Sequence, residues 1–164
     1  MPTSELIAKA AEVLETFRLA GLRLATAESC TGGMVASALT AVAGSSAVVE
    51  RGFVTYSNEA KTEMLGVAAD LIAAHGAVSE AVARAMAEGA IAHSHADVAV
   101  AVTGIAGPGG GSADKPVGLV HFARAARDGA TIHRREVFTG DRDAVRCQAA
   151  ATALALLPQQ PPPT

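Results

Sequence analysis

The chain has 164 residues, enough for one domain with a substantial core, and half of them are hydrophobic although only 3% are aromatic. The net charge is −3 and no basic block is present, so we expect no nucleic-acid partner. Two cysteines argue against a disulfide framework and fit a reducing cytoplasm, and we expect neither a leader peptide nor a membrane-spanning segment.

The spacing of apolar residues predicts helices and strands that alternate along the chain. In chain order we expect a helix from Thr3 or Ser4 to about 20, a strand over 22–27, a helix over 31–42, a strand over 47–56 with a bulge at Gly52, short helices over 57–66 and 68–75, a helix from Ser79 to about 93, a buried strand over 96–102, a glycine-rich loop over 103–115, strands over 117–124 and 131–139, and a helix from Asp141 to about 157. Residues 158–164, PQQPPPT, are expected to form a disordered tail.

This order of elements predicts an α/β fold with residues 1–157 as a single domain. We expect a three-layer α/β/α sandwich on a mixed, mostly parallel sheet of about five strands, with one antiparallel strand, because Asp128-Gly129 indicates a hairpin between the last two strands. Ligands of open α/β sheets collect beyond the carboxyl ends of the strands. The loops at 28–33, 56–61 and 103–115 follow such ends, and we expect them to converge.

Ser29 is the candidate nucleophile, at the start of a predicted helix where free backbone N–H groups favour an anion. A serine hydroxyl needs a base, and Lys61 in the second loop is the candidate, because burial in a pocket lowers the pKa of a lysine. Serine and lysine together are a known variant of the serine-hydrolase arrangement. The alternative is a capping serine and a surface lysine, and spacing alone favours it.

Three neighbouring side chains each have more than one interpretation. Cys30 is a rival nucleophile or a redox sensor, although as the residue after Ser29 it is expected to point the other way. Glu28 binds a ligand, pairs with Lys61, or is a buried charge held by backbone amides. Tyr56 contacts a ligand ring, joins the serine and lysine network, or packs in the core.

Backbone groups and arginines complete the candidate site. Backbone donors are available at Thr31, Gly32, Gly33, Thr103 and Gly104, although neither loop has a nucleotide-binding fingerprint. Arg142 and Arg146, one helical turn apart, either hold a phosphate or pair on the surface with Asp141 and Asp143. The histidines and cysteines lack metal-binding spacing, so we expect neither a metal nor another cofactor.

Six segments resemble the CinA C-terminal-domain family, and they span nearly the whole chain in the family's order. They are AESCTGG at 27–33, YSNEAK at 56–61, GAVSEAVARAMAEGA at 76–90, VTGIAGPGGG at 102–111, KPVGLV at 115–120 and GDR at 140–142. Several motifs in the right order make this resemblance more specific than any one of them.

The resemblance implies hydrolysis of the carboxamide of nicotinamide mononucleotide to nicotinate mononucleotide and ammonia, in pyridine-nucleotide recycling. It also implies a homo-oligomer, with a small nucleotide as the binding partner. Carried over by motif, Ser29 is the nucleophile, Lys61 the base and Tyr56 a catalytic neighbour. The nucleotide site would include Glu28, Cys30, Thr31, Gly32, Gly33, Thr103, Gly104, Gly107 and, as a phosphate ligand, Arg142. A catalytically silent nucleotide-binding module with the same pocket is the alternative.

Overall fold

The computed structural model describes residues 1–157, in which six helices and five strands form three layers. The strands are β1 (Leu24–Glu28), β2 (Val49–Val54), β3 (Val98–Gly104), β4 (Leu119–Ala126) and β5 (Ile132–Val137). The helices are α1 (Ser4–Ala20), α2 (Met34–Thr40), α3 (Asn58–Leu65), α4 (Ala69–His75), α5 (Glu80–Ala92) and α6 (Arg142–Leu156). A short 3₁₀ turn at Ser45–Ala47 precedes β2. The predicted tail at 158–164 lies outside the described residues.

The five strands form one sheet in the order β2-β1-β3-β4-β5. Strand β1 runs parallel to β2 and β3, whereas β4 is antiparallel to both β3 and β5. Four strands therefore share one direction and β4 alone reverses it. The predicted fold class, a mixed and mostly parallel sheet in an α/β/α sandwich, is confirmed.

Each face of the sheet has its own hydrophobic core. Side chains alternate along β3, so that Val98, Val100 and Val102 pack with α1, α2 and α6, while Ala99 and Ala101 pack with α5. Helices α3 and α4 lie against α5 on that second face. The alanines leave room for α5 to lie close to the sheet, and α5 in turn supports α3.

Two local predictions are wrong. Helix α2 begins at Met34 rather than at Thr31, because residues 30–33 form a turn in which Gly32 and Gly33 have φ of +57° and +100°. The bulge is not at Gly52: the register shifts where β1 passes from Leu24 to Ala25, opposite Val49 and Arg51.

Gly52 itself pairs regularly with Thr26, and a Cβ there would lie only 2.8 Å from Thr26 Oγ1. The glycine therefore accommodates a close neighbour in a regular strand pair.

Among residues 1–157, no helix combines the length and the apolar character that crossing a bilayer requires.

Candidate active site

The ends of β1, β2 and β3 meet around a pocket of about 290 Å³. The predicted site residues on its wall are Ser29, Cys30, Tyr56, Lys61, Thr103, Gly104, Gly107 and Arg142. Four further predicted residues, Glu28, Thr31, Gly32 and Gly33, do not line it. The carboxyl ends of parallel strands lie at one edge of a sheet, which explains why loops far apart in sequence share one cavity.

Ser29 and Lys61 are in contact inside this pocket: Lys61 Nζ lies 2.9 Å from Ser29 Oγ and 2.8 Å from the carbonyl oxygen of Thr55. Lysine is 1% exposed and serine 8%. Ser57 caps α3 by accepting a hydrogen bond from the backbone N–H of Ala60, and this start of the helix directs Lys61 inward. Both side chains are buried, so the alternative of a surface lysine is wrong.

Burial shifts the protonation equilibrium of Lys61 toward its neutral form. Burial lowers the pKa of its ammonium group, because a charged amine loses hydration inside the protein. No salt bridge to Lys61 is present within residues 1–157. A neutral amine can donate to Thr55 O and accept the proton of the Ser29 hydroxyl with its lone pair. The pair has the geometry of a nucleophile with its base, and the lowered pKa of Lys61 is in the direction that a base requires.

Glu28 does not pair with Lys61. Its buried carboxylate accepts hydrogen bonds from Thr31 Oγ1 at 2.6 Å and from the backbone N–H groups of Val35 at 2.9 Å and Ala36 at 3.1 Å. These bonds satisfy the first turn of α2 and place the negative charge at the positive end of the helix. Of the three interpretations of Glu28, the structure agrees with the buried charge held by backbone amides.

Cys30 is unsuited to act as a thiolate. It is 6% exposed and belongs to the core on the α1, α2 and α6 face, although it also contributes to the pocket wall. Burial raises the pKa of its thiol to about 11. The protonated thiol is a poor nucleophile and a poor redox sensor near neutral pH, so neither role suits it.

Tyr56 and Arg142 meet across the pocket mouth. Arg142 donates to the Tyr56 hydroxyl at 3.0 Å and to the carbonyl oxygen of Gly107 at 2.7 Å. Tyr56 is 62% exposed, so the interpretation as a core residue is wrong. Asp141 caps α6 by accepting from the N–H of Ala144, and this cap fixes where Arg142 begins the helix. A guanidinium at the mouth suits an anionic ligand group.

The sequence analysis missed Asn58, Ala77 and Val78, which also line the pocket. Asn58 lies in the YSNEAK segment and could have been found there. The other two precede α5 at the start of the GAVSEAVARAMAEGA segment, and their apolar side chains carry no chemical signal. They reach the site because Thr103 Oγ1 donates to the carbonyl oxygen of Ala77 at 2.9 Å. The hydroxyl of Thr103 in β3 thus holds the segment before α5 against the sheet.

Comparisons with known proteins agree with this architecture. The family model described as the CinA C-terminal domain matches residues 7–160. The chain belongs to the CinA C-terminal domain family. It is 56% identical over 160 residues, 98% of this chain and 97% of the other, to the nicotinamide-nucleotide amidohydrolase PncC of Escherichia coli strain K12.

Other members of the family differ in length. A CinA-like protein of Mycolicibacterium gilvum is 58% identical over 139 residues, which are 85% of this chain but 33% of that protein. The crystal structure of the competence/damage inducible protein CihA from Agrobacterium tumefaciens superposes with a TM-score of 0.93 at 51% identity and covers 96% of both chains. The fold described above is therefore that of the family.

Proposed function

We propose that this chain hydrolyses the carboxamide of nicotinamide mononucleotide and releases nicotinate mononucleotide and ammonia, a reaction of pyridine-nucleotide recycling. The observation that carries the proposal is the 2.9 Å contact between Lys61 Nζ and Ser29 Oγ in a pocket that lowers the pKa of the lysine. The name of the 56% identical relative, a nicotinamide-nucleotide amidohydrolase, supports the substrate class.

In the proposed reaction, neutral Lys61 takes the hydroxyl proton of Ser29 while Oγ attacks the carboxamide carbon. The tetrahedral intermediate collapses with cleavage of the C–N bond, and the Lys61 ammonium returns the proton to the departing nitrogen, which leaves as ammonia. Water then attacks the acyl ester with Lys61 as its base. The C–O bond to Ser29 breaks, Oγ regains a proton, and the acid is released as a carboxylate.

The oxyanion of both intermediates needs donors that are free of other partners. The N–H of Gly32 is already used, because it donates to the carbonyl oxygen of Ser29 at 3.0 Å. We therefore assign the role to the N–H of Cys30, which directly follows the nucleophile on the pocket wall, together with the loop at Ala106 and Gly107. A backbone N–H after the nucleophile serves this purpose in other serine hydrolases.

The nucleotide is oriented, in this proposal, by Arg142 at the mouth. Its guanidinium can bind the phosphate in bidentate fashion while Tyr56 contacts the ribose or the ring. Asn58 offers an amide to the substrate, and Gly104 at the end of β3 and Gly107 in the following loop form part of the pocket wall. The carboxamide then reaches Ser29 at the bottom of the pocket.

Ammonia release distinguishes this proposal from a catalytically silent nucleotide-binding module. The unmodified protein should release one ammonia for each nicotinamide mononucleotide consumed, with lower kcat/KM for nicotinamide riboside, which lacks the phosphate. Tight binding of the mononucleotide in calorimetry without any ammonia would favour the silent module. Turnover of free nicotinamide at an equal rate would contradict the assigned role of Arg142.

Homo-oligomeric assembly and a cytoplasmic location belong to the same proposal. Both cysteines are free thiols in the structure, which is compatible with a reducing compartment. Light scattering of the purified protein should give a mass that is a multiple of 16.4 kDa. A mass of one chain at all concentrations would contradict the assembly.

A further inference from the structure

Arg146 contacts the nucleophile turn, defined here as residues 29–33. Its Nε donates to the carbonyl oxygen of Cys30 at 3.1 Å and its Nη2 to that of Thr31 at 3.1 Å. The side chain does not line the pocket, although it lies one turn after Arg142 on the same helix. The two arginines therefore have different partners, and Arg146 is not placed to hold the phosphate of a substrate in the pocket.

The turn is held from two sides by opposite charges. Glu28 binds the Thr31 hydroxyl and the first amides of α2, while Arg146 binds two successive carbonyl groups. Within the turn, Gly32 N–H donates to Ser29 O at 3.0 Å. Hydrogen bonds to a charged group are stronger than neutral ones, so the guanidinium contributes more to the turn than an ordinary backbone bond.

Gly32 allows the backbone conformation of the turn, and Arg146 lies beside it. Its φ of +57° lies in the left-handed region, and a Cβ at this position would lie 3.4 Å from Arg146 Nη2. Because peptide groups are planar, fixing the carbonyl oxygens of residues 30 and 31 also fixes the planes of the 30–31 and 31–32 peptides. The 31–32 peptide carries the N–H of Gly32 that donates to the carbonyl oxygen of Ser29, so its plane is linked to the backbone of the nucleophile.

We propose that Arg146 is a positioning residue for the nucleophile: it fixes the peptides after Ser29 so that Oγ remains within reach of Lys61. This inference rests on the proposed hydrolase function and deepens it. It assigns Arg142 to substrate affinity and Arg146 to the chemical step, although both are arginines on one face of α6.

The two arginines make a matched pair for kinetics with nicotinamide mononucleotide and nicotinamide riboside. We expect Arg146→Ala to lower kcat by about 10- to 100-fold for both substrates, with KM changed by less than about threefold, because only the geometry of attack is lost. Arg142→Ala should instead raise KM for the mononucleotide and reduce the preference for it over the riboside. Arg146→Lys, which can reach one carbonyl only, should fall between, and added guanidinium ion should restore part of the Arg146→Ala activity.

A second measurement is independent of the natural substrate. A fluorophosphonate reacts with Ser29 when Oγ displaces fluoride from phosphorus and the hydroxyl proton passes to Lys61, and mass spectrometry follows the labelled protein. Arg146→Ala should be labelled at least about tenfold more slowly than the unmodified protein. If the unmodified protein releases no ammonia, this labelling rate still decides the role of Arg146, while the substrate proposal alone fails.

Two results would overturn the inference. One is an Arg146→Ala protein with unchanged kcat and unchanged labelling. The other is a loss of preference for the mononucleotide that equals the loss in Arg142→Ala, which would make Arg146 a phosphate ligand. If Arg146→Ala does not unfold cooperatively, Arg146→Lys decides the question, because it must then combine a normal melting temperature and KM with reduced kcat and labelling.

Discussion

Gly89 in α5 sets the position of the helix that carries Lys61. A Cβ at Gly89 would lie 2.0 Å from the carbonyl oxygen of Leu65 and 3.1 Å from its Cβ. Leu65 ends α3, one turn after Lys61. The last turn of α3 therefore rests directly on the backbone of α5, and the distance between the two helices depends on the missing side chain.

Gly89→Ala should reduce both activity and stability, with the larger effect on activity. A methyl carbon does not approach a carbonyl oxygen closer than about 3 Å, so the last turn of α3 must move by about 1 Å. A displacement of about 1 Å at the catalytic pair costs about 100-fold in rate. Lys61 Nζ lies 2.9 Å from Ser29 Oγ, so a displacement of this size would break their hydrogen bond. Overpacking costs about 1–3 kcal/mol, which the better helix propensity of alanine offsets by about 1 kcal/mol.

The assay combines ammonia release with urea denaturation. Glu88→Ala is the matched control, because it places an alanine at the exposed neighbouring position of α5 without touching α3. We expect Glu88→Ala to retain the turnover of the unmodified protein. A Gly89→Ala protein with full turnover would refute the reasoning that α5 fixes the position of Lys61.

Three further variants test two side chains of the site, Cys30 and Lys61, and the buried His121 on β4. Cys30→Ala should retain turnover within about threefold, because the thiol is buried and protonated. A loss of ammonia release as large as that of Ser29→Ala would instead favour Cys30 as the nucleophile. Burial lowers the pKa of Lys61, so between that lowered pKa and the ordinary value of 10.5 the unfolded chain holds a proton that the folded chain does not. Within this interval Lys61→Met should gain stability relative to the unmodified protein as pH falls. Denaturation at several pH values below 10.5 that shows no such trend would contradict a buried lysine with a lowered pKa. Burial beside His133 lowers the pKa of His121 from 6.5 to about 4, so the protein should lose stability as pH falls through that interval. The variant His121→Gln should therefore show a flatter acid side in a plot of melting temperature against pH. An unchanged slope would contradict this prediction.

The fold and the three converging loops could be predicted because the signals for them are local. Alternating apolar residues, Ser and Asp caps and the Asp128-Gly129 turn each act over a few residues. Strand-end loops of a parallel sheet share an edge as a matter of topology, so Ser29 and Lys61 could be expected near one another.

Other features of the site depend on depth and packing, which the sequence does not display. Arg142 and Arg146 look equivalent on a helical projection, but one turn of α6 separates the pocket mouth from the nucleophile turn. Lys61 lies in the polar helix NEAKTEML, and it is buried because α3 packs with this side chain against the ends of β1 and β2. The pocket wall at Ala77 carries no side-chain signal, and a hydrogen bond from Thr103 places it.

The central claim is that Ser29 and Lys61 together perform the hydrolysis, and ammonia release from nicotinamide mononucleotide by their variants tests it most directly. Ser29→Ala should lose at least about 10³-fold in kcat and Lys61→Ala at least about 10²-fold. The controls Ser37→Ala and Lys9→Ala alter an exposed residue of α2 and a half-buried residue of α1, both outside the pocket, and should retain full turnover. Ammonia release by Ser29→Ala or Lys61→Ala at the rate of the unmodified protein would contradict the account.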